Sequence, residues 1–273
     1  DFDSIKFTIE EYGKVIDAIP LDNPNCLLHV VLLNENHYLK KTKRPYYAQY
    51  EDAANYVAMC EGDDYWTDPQ KLQKQVDILE ADESLMLCCT NCSVVDNKGV
   101  ELQAVCGNVV KDDIQGQYNL HDFFRDNHQY PTLSVVYRRT HIKEIEEKFA
   151  HTRNAFLGDW TLWICLHIYG DFYYINEAMV AYRINPTSVT HSNVDARRLG
   201  LAKANFKLIP AVANILPNEY QDIKENLTKD TAWMWFNLAN AYKHQHQYVK
   251  MFCCLLVCCI KDPKLLYTKI LNR

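Results

Sequence analysis

The sequence has no apolar run long enough to cross a bilayer. Its longest unbroken one, Met251 to Ile260, has ten residues, about half of the ~20 that a spanning helix needs. No secretory leader is recognisable. An excess of positive charge is also missing. The net charge is −6, which argues against a nucleic-acid partner and means that an anionic ligand would need a local basic patch or a bound cation. There is no internal repeat and no low-complexity linker. Cys89 and Cys92 form one C-x-x-C, but no second pair of suitable spacing accompanies it, so a zinc or redox centre is a minor expectation. The first residue is Asp rather than Met, as expected of an N-terminus that is processed, trimmed or not included.

What is present is material for a large core. The 273 residues are 48% apolar, enough for one large domain or a domain with an appendage. Eleven cysteines sit in apolar runs such as "LMLCCTNC" and "MFCCLLVCC". They read as reduced core residues of a cytoplasmic protein rather than as a disulfide framework.

The pattern along the chain alternates between strand and helix. Residues 4–18 read as a helix, and "CLLHVVLL" (26–33) as a strand covered on both faces. A basic loop follows, holding Lys40, Lys41, Lys43 and Arg44. It reads first as a solvated face and second as an attractor for anions. A short helix is expected over 46–55 and a short buried strand over 56–60. Asp68 and Pro69 are expected to cap a helix with a Leu72, Val76, Leu79 stripe. "SLMLCCTNCSVVD" reads as a strand, "NKG" (97–99) as a hairpin turn and "TLSVVYRR" (132–139) as another strand. "HIKEIEEKF" reads as a helix, "DWTLWICLHIYG" (159–170) as a helix closed by glycine, and 172–184 as strand. From about 195 onward the pattern is helical. This alternation indicates α/β layers, in which ligands bind beyond the C-terminal ends of strands.

At one such end, "CEGDDYW" crowds Glu61, Asp63 and Asp64 around Gly62. Carboxylates so spaced can converge on a hard cation such as Mg²⁺ or Mn²⁺, and glycine permits close backbone approach. The same residues could equally form an acidic turn beside a helix. Asp159 reads by itself as an N-cap for the helix that follows.

"YVAMCEGDDYWTDPQKLQKQVDILE" resembles the D-x-D region of glycosyltransferase family 2, in the subgroup reading EGDDYW-T-D-P-x-K-L-x-x-Q. "LNENHY", "TLSVVYRR", "GDWTLWICLHIYG" and "INEAMVAYRINPTSVTHS" resemble further family segments in the expected order, so that the likeness spans about residues 25–195. The resemblance implies a GT-A-like (Rossmann-like), mostly parallel sheet flanked by helices over residues 1–195, with a helical extension over 196–273. It also implies an inverting transfer of sugar from a nucleotide-diphosphate sugar, a UDP-sugar above all, to a hydroxyl of a glycan or lipid-linked acceptor in surface polysaccharide assembly. Mn²⁺ or Mg²⁺ would be held by Asp63 and Asp64, with His191 as a further ligand or phosphate contact. Glu61 would lie near the ribose and metal, and Arg183 would meet the diphosphate or pair with an acidic neighbour. Tyr65, Trp66 and Trp160 would contact substrate. Asp159 would be the general base.

The family's first two strand motifs, P-x-Y-N-like and D-D-x-S-x-D-like, have no good counterpart here. This chain alone is therefore expected to bind a nucleotide sugar weakly or not at all. Two alternatives stay open: an inactive or partial homologue acting as a binding or scaffold subunit, and a metal-dependent phosphohydrolase using the same carboxylates. Residues 196–273 carry no family motif. "TAWMWFNLANAYKHQHQYVKMFCCLLVCCIKDP" reads as a helical hairpin. The final stretch, with Lys261, Lys264, Lys269 and Arg273 among Leu265, Leu266, Tyr267, Ile270 and Leu271, reads as a terminal helix. Its amphipathic composition also suits peripheral contact with the inner face of a membrane.

Overall fold

The computed structural model describes residues 2–35, 46, 48–104, 114–126, 128–152, 158–185, 194–229 and 231–271. His191 and the basic residues Lys40 to Arg44 lie outside the described residues. The chain divides into two compact units, Asp1–Asn55 and Tyr56–Arg273.

The first unit is an antiparallel meander in the order β1-β2-β3, with β1 Phe2–Glu10, β2 Gly13–Pro20 and β3 Leu28–Leu33. A short helix, α1 (Ala48–Ala53), follows. The helix expected over 4–18 is thus a hairpin. "IKFTIE" alternates apolar and polar residues with the period of a strand, putting Ile5, Phe7 and Ile9 on one face. Glycine is demanded at position 13, where a Cβ would lie 2.1 Å from the carbonyl oxygen of Leu32. The β3 strand is not covered on both faces either: Leu28, Val30 and Leu32 are exposed.

In chain order, the second unit begins with β4 (Tyr56–Ala58), β5 (Tyr65–Trp66), α2 (Lys71–Ala81), β6 (Leu85–Val95), β7 (Glu101–Leu102) and β8 (Gly116–Tyr118). Next come α3 (Leu120–Arg125), β9 (Val136–Arg138), α4 (Ile142–Thr152), α5 (Gly158–His167) and β10 (Asp171–Arg183). The C-terminal helices are α6 (Val194–Ile215), α7 (Gln221–Lys229), α8 (Ala232–His244), α9 (Tyr248–Lys261) and α10 (Pro263–Leu271).

The strands form a seven-stranded sheet with the path β4-β9-β6-β10-β5, with β7 on β6 and β8 on β10. Among the described residues, only β6 and β10 run parallel; the other pairings in this sheet are antiparallel. The fold is therefore α/β with a mixed sheet, not the mostly parallel one expected. Connection length explains the difference. A parallel pair needs a long crossover, which α3, α4 and α5 supply between β6 and β10. The turn after β6 is a tight hairpin in which Asp96 Oδ1 accepts the N–H groups of Lys98 and Val100, each at 2.8 Å.

Both faces of β6 are covered, which accounts for its unbroken apolar sequence. Leu87 and Cys89 pack with Trp163, Ile164 and Leu166 of α5. Leu85 and Cys88 pack with Leu79 of α2 and Val180 of β10. Gly170 works by close approach rather than as a left-handed helix stop: a Cβ there would sit 2.3 Å from the Ser84 carbonyl oxygen. Asp68 is not the helix cap that its sequence suggests. It accepts the Gln70 N–H at 2.7 Å, in the turn before α2 begins at Lys71. In the expected stripe, Leu79 is fully buried while Leu72 is 40% exposed.

The C-terminal hairpin forms as expected. Leu238, Ala239 and Ala241 of α8 pack with Cys254 of α9 and Ala202 of α6. The cysteines divide. Cys88, Cys89, Cys165, Cys254 and Cys258 are buried, whereas Cys60, Cys253 and Cys259 are exposed rather than in the core. Among the described residues no cysteine is in a disulfide, and no helix is long and apolar enough to cross a membrane.

Candidate functional site

The acidic cluster lies just beyond β4, as its sequence suggested. A turn closes from Asp64 N–H to the Glu61 carbonyl at 3.1 Å. The chain then enters β5, where Tyr65 and Trp66 pair with Ala181 and Val180 of β10. Nothing within 4 Å would meet a Cβ at Gly62, so the protein itself does not require glycine there.

Arg183, at the end of β10, holds this turn in place. Its backbone N–H donates to Asp64 Oδ1 at 2.8 Å, and its Nε donates to the Asp63 carbonyl at 2.8 Å. Its Nη1 donates to the Asp96 carbonyl at 3.0 Å, and the guanidinium lies 5.4 Å from the Tyr65 ring centre. Arg183 meets the acidic turn through its backbone N–H, at the Asp64 carboxylate, and through its side chain, at main-chain carbonyls. The partners of its side chain are mostly carbonyl oxygens, which a guanidinium fork serves well.

The electrostatics are those of crowded anions. Desolvation raises the Asp64 carboxyl to about 6, and the charges of Glu61 and Asp63 push the same way against the Arg183 N–H and guanidinium. Glu61 is exposed as a residue, yet its carboxyl is desolvated enough to be raised as well. The Thr132 hydroxyl opposes that rise, while the charges of Asp159 and Asp63 add to it. Glu61 thus senses the charges of both Asp159 and Asp63. Asp159 sits in the first turn of α5, where its Oδ1 accepts the Trp160 N–H at 2.8 Å.

The aromatics separate. Tyr65 and Trp66 are 38% and 37% exposed. Trp66 Nε1 donates to the Leu133 carbonyl at 3.2 Å, which fixes the indole. Trp160 packs against Phe123 and Phe124, with ring centres 6.3 and 6.1 Å apart. It is partly buried and packs against the core.

Sequence reasoning passed over Lys71. Its side chain is fully buried, and its Nζ lies 4.6 Å from the Trp66 ring centre. No hydrogen-bond acceptor for it exists among the described residues. Burial pulls its pKa down to about 8. Lys71 also lines a cleft of about 370 Å³ with Trp66, Thr67, Asp68, Pro69 and Leu72. A lysine at helix position 71 reads locally as a surface residue; its one mark in the sequence is that it occupies the K of the resembled D-P-x-K-L motif.

Among the described residues, no three His, Cys, Asp or Glu side chains form a ready-made metal-holding group. The donor chemistry nevertheless fits a hard divalent cation. Oxygen ligands are what Mg²⁺ and Mn²⁺ prefer, and a cation's charge would offset both the desolvation that chiefly raises Glu61 and Asp64 and the repulsion that adds to it.

No family model matches the chain. It is similar to three curated mycobacterial proteins. Those of Mycobacterium tuberculosis strain H37Rv and of Mycobacterium bovis are each 30% identical over 166 residues, covering 59% of this chain and 45% of the relative. Both are named only as uncharacterized proteins. The chain thus spans about half the length of the curated relatives it matches.

Proposed function

We propose that the Tyr56–Arg273 unit handles the diphosphate of a nucleotide sugar and delivers the sugar, with inversion, to an acceptor hydroxyl, as the resemblance to glycosyltransferase family 2 implies. One observation carries the reading. Glu61 feels the charge of Asp63 from the strand-end turn and of Asp159 from the first turn of α5. Carboxylates of two different elements, 96 positions apart in sequence, thereby share one electrostatic neighbourhood.

In this reading, Asp63 and Asp64 would hold Mn²⁺ or Mg²⁺, with Glu61 near the ribose and metal. The ion supplies charge neutralisation for the departing diphosphate. Arg183 holds the turn so that these carboxylates present together. Asp159 accepts the proton of the acceptor hydroxyl as that oxygen attacks the anomeric carbon. The exposed Tyr65 and Trp66 offer ring faces to a sugar. UDP-sugars suit the donor role and glycan or lipid-linked alcohols the acceptor role, in surface polysaccharide assembly.

A second reading, a binding or scaffold subunit, is favoured by a different observation. The residues preceding the acidic turn form an antiparallel meander, not the parallel strands with which the family builds its base pocket. Mn²⁺ titration followed by electron paramagnetic resonance, on the wild type and on Asp63→Ala/Asp64→Ala, tests the cation step. The expected result is binding that the double variant loses by roughly tenfold or more. Equal binding by both proteins, or none by either, sinks the proposed site. Assay with labelled UDP-sugars then separates the readings. Labelled product on an acceptor supports transfer, free sugar phosphate without acceptor supports the phosphohydrolase, and cation binding without turnover supports the scaffold.

A further inference from the structure

Helix α9 buries one face and leaves the other uncovered. Cys254 and Cys258 point inward with Met251 and Leu255 against α8. Opposite them, Val249, Phe252, Leu256 and Ile260 recur every three or four positions and are 78%, 62%, 64% and 76% exposed. This spacing draws one apolar stripe along the helix. The helix has 14 residues and is about 21 Å long, so the stripe can lie along a surface but cannot span one.

The last three helices are predominantly basic. Residues 232–273 hold six Lys or Arg and a single acid, Asp262, in a chain whose total is −6. Lys243, Lys250, Lys261 and Lys264 are exposed. Asp262 is occupied with the first turn of α10, its Oδ1 accepting the N–H groups of Lys264 and Leu265 at 2.9 and 3.0 Å. A second copy docking face to face would bring these lysines against one another. A surface both apolar and anionic complements both features.

We propose that the outer face of α9 seats this protein on an anionic lipid surface. Phe252, Leu256, Val249 and Ile260 enter the headgroup–acyl boundary, and the flanking lysines meet anionic headgroups. The contact lies one helix upstream of the stretch 261–273 that composition alone suggests. It does not depend on the catalytic reading.

The test is sedimentation of the full chain with vesicles of phosphatidylcholine alone or mixed with phosphatidylglycerol, at low and high salt. Expected is binding to the mixed vesicles, weaker by roughly tenfold on neutral vesicles or in high salt. Phe252→Ser/Leu256→Ser should lose it while keeping the wild-type circular dichroism. A wild-type measurement covers the case in which that variant misfolds. Cys253 and Cys259 are exposed on the same helix, as is Cys60 elsewhere. Mixed vesicles should shield Cys253 and Cys259 from a water-soluble maleimide and leave Cys60 reactive. Unshielded Cys253 and Cys259 on vesicle-bound protein overturn the assignment, and so does equal binding to neutral vesicles. A solution dimer that the double variant dissociates, with no vesicle binding, gives the face to a second copy instead.

Discussion

The backbone N–H of Arg183 donates to Asp64 Oδ1 at 2.8 Å across 119 positions of sequence. That bond joins the end of the longest strand to the acidic turn. The guanidinium of the same residue reaches the carbonyls of Asp63 and Asp96, so one residue ties together the turn, the β6–β7 hairpin and the sheet.

Replacing Arg183 by alanine should therefore loosen the turn without unfolding the core. Losing two side-chain hydrogen bonds to carbonyls costs about 1–2 kcal/mol, readable in urea denaturation. Arg183→Lys should not restore it, because one ammonium cannot reproduce the planar fork. Full stability in Arg183→Ala would show that the contacts are incidental.

Asp64 makes the chain pH-sensitive in a direction that follows from its neighbours. Its carboxyl rises from 3.8 unfolded to about 6 folded, so the folded state binds more protons in that interval. Stability contributed by this group falls as pH climbs from about 4 to 6. Asp64→Asn should flatten that part of a thermal-denaturation profile, since an amide oxygen can still accept the Arg183 N–H. Cation binding should run the other way, strengthening as pH rises toward 6.

Asp159→Asn should keep the fold and abolish transfer. It should also lower the Glu61 pKa, because Asp159 is one of the charges raising it. Carbon-detected NMR titration of Glu61 reads this without any assay of turnover. An unmoved Glu61 would separate the two carboxylates and remove the basis for a shared site.

Lys71 should leave its mark at alkaline pH. Its ammonium falls from 10.5 to about 8 on burial. The unfolded chain then binds the extra proton between those values, and stability rises with pH across the interval. Lys71→Met should erase that rise and be neutral or more stable by about 1–3 kcal/mol at pH 7, since it removes a buried charge beneath Trp66. Strong destabilisation by Lys71→Met would mean that the ammonium has a partner essential to the fold.

Local signals sufficed where a segment's own period and turn residues decide its form. The apolar run of β6, the "NKG" hairpin, the amphipathic α4 and the α8–α9 hairpin all form where sequence placed them. The position of the acidic turn beyond a strand was legible for the same reason. What needed the tertiary structure is whatever depends on distant partners. The first twenty residues carry helical and strand periods together, and pairing across Gly13, where only glycine clears the Leu32 carbonyl, resolves them into a hairpin. Connection lengths, not strand composition, made the sheet mixed. The clamp by Arg183, the burial of Lys71 and the bare face of α9 each arise from packing between elements remote in sequence. A residue's neighbours along the chain set its backbone preference, but only the folded chain sets what its side chain touches.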